Sequence, residues 1–561
     1  MTPETTAEAF LVALHRRGVG RLFVNAGTDF APLVEAYARQ KHSGLELPDV
    51  VVCAHENVAI SMAHGAHLGD GRVPAVMLHT SVGTANAVCG VLNAARSRVP
   101  ILLMAGRTPL FEEGALGARD FPIHWAQEMF DQAGMVRELV AWDYELRDGR
   151  QVDAVVDRAL GAARSAPAGP VYLTLPREVL AAPAAAQPER AEPAAPTAAH
   201  PDPAAVSELA GLLAEARFPL VVTGDAGADH AAVPLLADLA DRYGIAVVES
   251  GPRHVNLPAG HRLHAGYAPG PGLPAADVVL CLDLDVPWMP GAGAPAEHAV
   301  VVQVGPDPRF ARYPMRSHRS DLTITSGVVP LLAALGPALA ELPVDPGRAE
   351  RLAAEVGSWR RRRDAAVAAD DASAGPITKT YLNACLARAL PPGAVVVDEY
   401  WTDPAQLAAT EPGTYYGTPP AGGLGWGLPA AMGLQLARPH ATVVATVGDG
   451  AYLFANPAAC HQGMAMHDLP VLTIVCTNEH WGAVQGATLR MYPDGHTAES
   501  GDLSPLSRLD PVPDLAAYAR ASGGHGEQVR DRADLAPALA RALDVVRDGR
   551  RQALVDVRCA G

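Results

Sequence analysis

The sequence predicts an α/β protein made of three doubly wound parallel-sheet domains. Short apolar, β-branched runs alternate with Ala-rich stretches of helical period, the pattern of buried parallel strands joined by crossover helices. The chain of 561 residues exceeds what one hydrophobic core serves, since domains usually hold roughly 100–200 residues. Two stretches without this alternation divide it into three units.

The first unit, 1–180, opens on an amphipathic helix and carries the predicted strands RLFVNA, DVVVCA, AVMLHT, ILLMAG and VYLTLP. Residues 181–203 are mostly Ala, Pro, Glu and Gln, with proline at 183, 188, 193, 196, 201 and 203. Proline fixes φ and lacks an amide hydrogen, so this stretch reads as a linker. The central unit, 204–342, has PLVVTG, AVVES, VVLCLDL and VVVQVG as strands. A connector at 343–375 holds a charged helix and leads to the third unit, 376–561, with AVVVDE, TVVATVG, LTIVCTN and ALVDVR. No short-period repeat is visible, and the first and third units are candidates for distant structural duplicates.

Composition narrows the function. Apolar residues at 49% and charged ones at 19% mark a globular chain. A formal charge of −17 excludes a general nucleic-acid binder, which needs clustered Lys and Arg to neutralise phosphates. The one basic run, Arg360 to Arg363, reads as a solvated helix face. The seven cysteines are scattered, mostly in apolar runs, with no CxxC pair, as expected of reduced core residues in a cytoplasmic protein. The polar start MTPETTAEAF lacks the form of a secretory signal, and no stretch reaches the ~18 apolar residues of a membrane span.

The strongest chemical signal is VVATVGDGAYLFANPAACHQGMAMHDLPVLTIVCTNEHWGAV. Two predicted strands end at Gly448-Asp449-Gly450 and at Thr477-Asn478, and ligands bind at the C-terminal ends of strands in open parallel sheets. A carboxylate and an amide carbonyl are hard oxygen donors suited to Mg²⁺, which shares its octahedron with phosphate oxygens and water. The glycines admit a phosphate close to the backbone, and the following helix N-terminus points amide hydrogens at it. The bland alternative is a tight turn before a helix.

Glu56, in AHEN, stands where a strand gives way to a helix and is a candidate acid or base. A helix N-terminal Glu stabilised by the dipole is the competing reading. A zinc motif is excluded because position 59 is Ala. His79 ends the strand AVMLHT, where an imidazole can donate or accept a proton, or simply fill the core. Thr28 and Asp29 follow Gly27 at a strand end, as pocket groups or as helix caps. His124 and Gln127, in FPIHWAQE, are candidates from a loop lining the cleft. Gly425-x-Gly427-x-x-Ala430 mimics a dinucleotide fingerprint but follows no clear strand.

GDG, then 27 residues (451–477), then Asn resembles the thiamine diphosphate signature of acetolactate synthases, pyruvate oxidases and benzoylformate decarboxylases. The chain departs from it at Thr477, usually Asn, and at Ala451, frequently Ser. The resemblance implies that Asp449, Asn478 and the His480 carbonyl are Mg²⁺ ligands, and that Gly448, Gly450, Ala451, Trp481 and Gly482 adjoin the cofactor. Glu56 then takes the place of the glutamate that hydrogen-bonds the aminopyrimidine N1′. In PAGGLGWGLPAAMG, Gly422 and Leu424 lie at the segment beneath the thiazolium ring, and Glu399 and Tyr400 contact the diphosphate through their backbone. The segment AVMLHTSVGTANAVCGVLNAARSRVPILLMAGR resembles the benzoylformate decarboxylase branch, with its catalytic histidine at His79 and a substrate-contacting serine replaced by Thr28. By the same analogy Trp481, Ala483 and Val484 face the substrate.

The resemblance covers nearly the whole chain and orders it as pyrimidine-binding, central and diphosphate-binding domains. It implies decarboxylation of a 2-oxo acid, with protonation to an aldehyde or addition to a second aldehyde or ketone. It also implies a homodimer as the smallest active form, with a homotetramer expected. The central unit lacks the flavin segment of relatives that hold FAD, since VVLCLDLDVPWMPGAGAP takes its place, so FAD is not expected. The competing functions are a flavin-dependent 2-oxo acid oxidase and a non-catalytic cofactor-binding regulatory subunit.

Overall fold

A computed structural model describes residues 2–186, 196–291, 293–407, 409–501 and 505–560. Among them are three sheets in which every strand pairing is parallel. With strands counted along the chain inside each sheet, the first and third sheets share the order 2-1-3-4-6-5, and the central sheet runs 2-1-3-4-5. The duplication suspected from sequence is thus a duplication of topology. Interior strands such as Ala75–Leu78, Val471–Thr477 and Val278–Leu282 are buried at every position, because helices cover both faces.

Four strands escaped the sequence reading: Asp143–Glu145, Leu322–Thr325, Tyr415–Tyr416 and His525–Val529. All four lie at sheet edges. The segment read as a loop around His124 forms a short helix, Ile123–Ala126. Of the linker 181–203, residues 187–195 lie outside the described residues, while Pro183 bridges back to Thr5 and Ala184 donates to the Glu4 carbonyl. The connector 343–375 contains a helix of 24 residues, Arg348–Asp371. The buried Arg348 guanidinium caps the helix Pro203–Glu215 by donating to the carbonyls of Leu213, Ala214 and Ala216.

The first and third units meet backbone to backbone through the helices Glu56–Asp70 and Gly427–Ala437. A Cβ at Gly65 would lie 1.8 Å from the Ala430 carbonyl oxygen, and one at Gly433 would lie 1.8 Å from that of Met62. Only glycine permits this approach. No helix among the described residues is long and apolar enough to cross a membrane.

Each sheet reverses its strand order between its own first and third strands, and the crevice beyond their C-terminal ends is where such folds bind ligands. In the central sheet that crevice is filled by the protein itself. Asp225 pairs with Arg253 at 2.7 Å, and Asp283 receives Arg98 of the first unit at 2.5 Å. In the other two sheets the crevices carry the candidate site residues.

Candidate active site

In the third unit the strand Val443–Gly448 runs directly into the helix Asp449–Phe454, which buries Asp449 at the turn. Its carboxylate accepts the Gly450 amide at 2.9 Å and the Glu479 amide at 2.7 Å. Burial pushes its pKa up, and these amide hydrogens oppose the shift. A nearby cation would offset the burial further. Glu479 has a φ of +62°, and its side chain pairs with Arg558, so the turn that follows Asn478 is held from outside. Trp481 donates to the Ser507 carbonyl and Leu509 to that of Glu479. This pairing leaves the His480 carbonyl aside.

The donor set fits Mg²⁺: one carboxylate, one amide oxygen and one backbone carbonyl, with further positions for phosphate and water. A Cβ at Gly448 would meet no atom within 4 Å, whereas one at Gly450 would strike the Trp481 ring at 2.4 Å. Trp481 also packs edge-on against Phe454. Ala451 is buried behind the turn, while Gly482, Ala483 and Val484 are exposed at the start of the helix Gly482–Met491.

Glu399 has a role that the sequence did not disclose. It is 1% exposed, and its two carboxylate oxygens accept the amides of Gly425 at 2.8 Å and Gly427 at 2.7 Å. It therefore anchors the loop that carries Leu424, which packs on the large core shared by the first and third units. Tyr400, at φ +86°, reaches across the same loop, its hydroxyl donating to the Gly422 carbonyl at 3.3 Å.

In the first unit Glu56 opens its helix, in the first turn where the dipole also favours a carboxylate, while His55 caps it, its Nδ1 accepting the Asn57 amide at 3.1 Å. Asn86, absent from the sequence reading, donates to Glu56 Oε2 at 3.1 Å. Nothing local in the sequence links these two positions. His79 N-caps the next helix, Thr80–Arg96, and its Nδ1 stands 2.6 Å from Asp29 Oδ1. Asp29 does not cap the helix that follows it, Ala31–Ser43; its Oδ2 instead accepts the Thr80 amide at 3.4 Å. Thr28 is exposed, with Asp29 buried behind it. Gln127 lies beside His79, Nε2 to Nε2 at 3.4 Å. His124 is buried and accepts the Asp120 amide at 3.3 Å. Glu56, His79, Asp29 and Gln127 thus gather at the end of the first sheet, and Asp449, Asn478, Trp481 and the Glu399-anchored loop at the end of the third.

The model of the thiamine pyrophosphate enzyme N-terminal TPP binding domain matches residues 4–135, and that of the C-terminal TPP binding domain matches 400–557. Together they span more than half of the chain, which belongs to the family of thiamine pyrophosphate-dependent decarboxylases and carboligases. It is an enzyme of that type. The sulfoacetaldehyde acetyltransferase of Rhodobacter capsulatus is 29% identical, over 96% of this chain and 92% of its own. The benzoylformate decarboxylase of Pseudomonas aeruginosa is also 29% identical, over 96% of this chain and 97% of its own. Among solved structures, the thiamine diphosphate-dependent 4-hydroxybenzoylformate decarboxylase of Rhodococcus jostii RHA1 shares the fold, with a TM-score of 0.78 at 22% identity over 99% of both chains.

Proposed function

We propose that this enzyme decarboxylates a 2-oxo acid with thiamine diphosphate and Mg²⁺ and releases an aldehyde. The observation that carries the reading is the placement of Glu56 and His79, two groups able to hold a proton, at one sheet end. When bound, the cofactor supplies a carbon nucleophile for the substrate carbonyl and a sink for the electrons left by CO₂. Asp449, Asn478 and the His480 carbonyl hold the metal, and the loop anchored by Glu399 sets Leu424 beneath the ring. Glu56 holds and moves a proton at the aminopyrimidine N1′. His79 orients the substrate carboxylate and delivers the proton that completes the aldehyde. Phe454 and Trp481, packed edge-on, form an apolar wall beside the metal ligands.

Transfer to a second carbonyl, an aldehyde or ketone, is the second reading, favoured by the likeness to an acetyltransferase of sulfoacetaldehyde. The ion pairs that fill the central crevice speak against a flavin-dependent oxidase. We also propose a homodimer that can pair into a homotetramer. Both half-sites are bordered by exposed apolar side chains, among them Trp125 and Phe130 in the first unit and Phe454 and Met491 in the third, and a second copy would cover them. The free cysteines support a cytoplasmic location.

The test is product analysis with thiamine diphosphate and Mg²⁺, supplying pyruvate or benzoylformate, each alone and with an aldehyde acceptor. CO₂ and an aldehyde without any electron acceptor are expected. A 2-hydroxyketone would favour the second reading, and CO₂ release only with an added oxidant would replace both.

A further inference from the structure

Asp29 is a carboxylate whose side chain is 3% exposed, yet no Arg or Lys pairs with it among the described residues; its partners are the His79 ring and, at 3.4 Å, the Thr80 amide. The backbone is shaped around this pair. A Cβ at Gly27 would sit 2.2 Å from the His79 ring, and one at Gly106 would sit 1.7 Å from Asp29 Oδ2. A carboxylate only accepts, so the contact at 2.6 Å places a proton on His79 Nδ1 and leaves Nε2 to change state.

On the Nε2 side stands Gln127, pinned by its own carbonyl, which accepts the Ser81 hydroxyl at 2.8 Å. Its Nε2 lies 3.4 Å from His79 Nε2, and its Oε1 is buried without a hydrogen-bond partner. When the imidazole is neutral, the amide N–H donates to the bare Nε2. When it is charged, a half-turn of the amide presents Oε1 to Nε2–H. Either state is satisfied by that one flip of the amide.

We infer that Asp29, His79 and Gln127 form a proton-holding relay, in which Asp29 is the positioning residue that fixes the His79 tautomer and favours its charged form. The substrate role of the relay rests on the decarboxylase reading; its geometry does not. His79 gives the Nε2 proton to the substrate, keeps the Nδ1 proton shared with Asp29, and regains the other from water. The titratable groups around the ring are Asp29 on the turn Thr28–Phe30, Glu56 on its helix and His124 on the short helix; both carboxylates favour the imidazolium, and His124 opposes it. The Asp29 hydrogen bond is the largest influence and raises the imidazole pKa.

The test is an NMR titration of labelled histidine in the full-length protein without substrate, with His79 assigned by the His79→Gln variant. In wild type we expect the neutral ring to carry its proton on Nδ1; a proton on Nε2 would overturn the relay. In Asp29→Asn, which keeps the shape but not the charge, the His79 pKa should fall by roughly one unit or more. The corresponding limb of the kcat/KM profile should move to lower pH with it, whereas a merely structural role would depress rates at every pH and leave the limb in place. An unmoved pKa in folded Asp29→Asn refutes the assignment, and should that variant not fold, the wild-type tautomer decides. A shifted pKa without turnover of any 2-oxo acid would retain the relay and sink the decarboxylase reading instead.

Discussion

The Asp449 carboxylate accepts the Glu479 amide hydrogen across 2.7 Å, and this bond ties the turn after one central strand to the turn after its neighbour. The protein thus fixes the spacing between the two candidate metal-ligand loops by its own backbone. Asp449→Ala removes the proposed ligand and that tie together. We expect Mg²⁺-dependent thiamine diphosphate affinity to fall by about 100-fold or more, read by calorimetric titration with and without Mg²⁺. Unchanged affinity would refute the clamp.

Burial pushes the Glu399 carboxyl from 4.5 up to about 7. The folded state then binds this proton more tightly than the unfolded chain does. The resulting stability is fully present below about pH 4.5 and is lost as pH rises through about 7. Wild type should therefore lose stability relative to Glu399→Gln across that window, by ~3 kcal/mol at most. Thermal unfolding of both proteins at about pH 5 and about pH 8 measures the gap; a gap that does not change with pH contradicts the assignment.

The glycine contacts between the first and third units allow no added atom. Gly65→Ala and Gly433→Ala each drive a methyl into a carbonyl oxygen across the joint. Each is expected to cost about 1–3 kcal/mol or more, because main chain rather than a flexible side chain must yield. A lowered melting temperature would report it, and an unchanged one would show that the two helices separate freely.

Much of this was legible in the chain because buried parallel strands are continuous β-branched runs. The four missed strands show the limit. HGEQV and DYE lack such runs because an edge strand pairs on one side only and leaves part of its length to solvent. The site divides in the same way. Asp449, Asn478 and Glu56 could be read because each stands at the end of a recognisable strand. The Glu399 contact with Gly427 and the Asn86 contact with Glu56 join residues 28 and 30 positions apart in the sequence, and no local pattern encodes them. Asp29 was noticed, but as a pocket group or a cap. Its pairing with His79 depends on two adjacent strands bringing residues 50 positions apart into one crevice.

The most direct measurement is the exchange of the thiazolium C2 hydrogen of bound thiamine diphosphate with deuterium, followed by NMR after acid quench, in wild type and in Glu56→Gln. Glu56 is the group assigned to proton movement at the aminopyrimidine, and its partner Asn86 can still bind an amide. We expect fast exchange in wild type and exchange slower by about 10²-fold or more in the variant, the scale of lost acid–base assistance, with cofactor affinity nearly unchanged. Equal exchange rates in the two proteins, both with cofactor bound, would contradict the role of Glu56 on which the proposed chemistry depends.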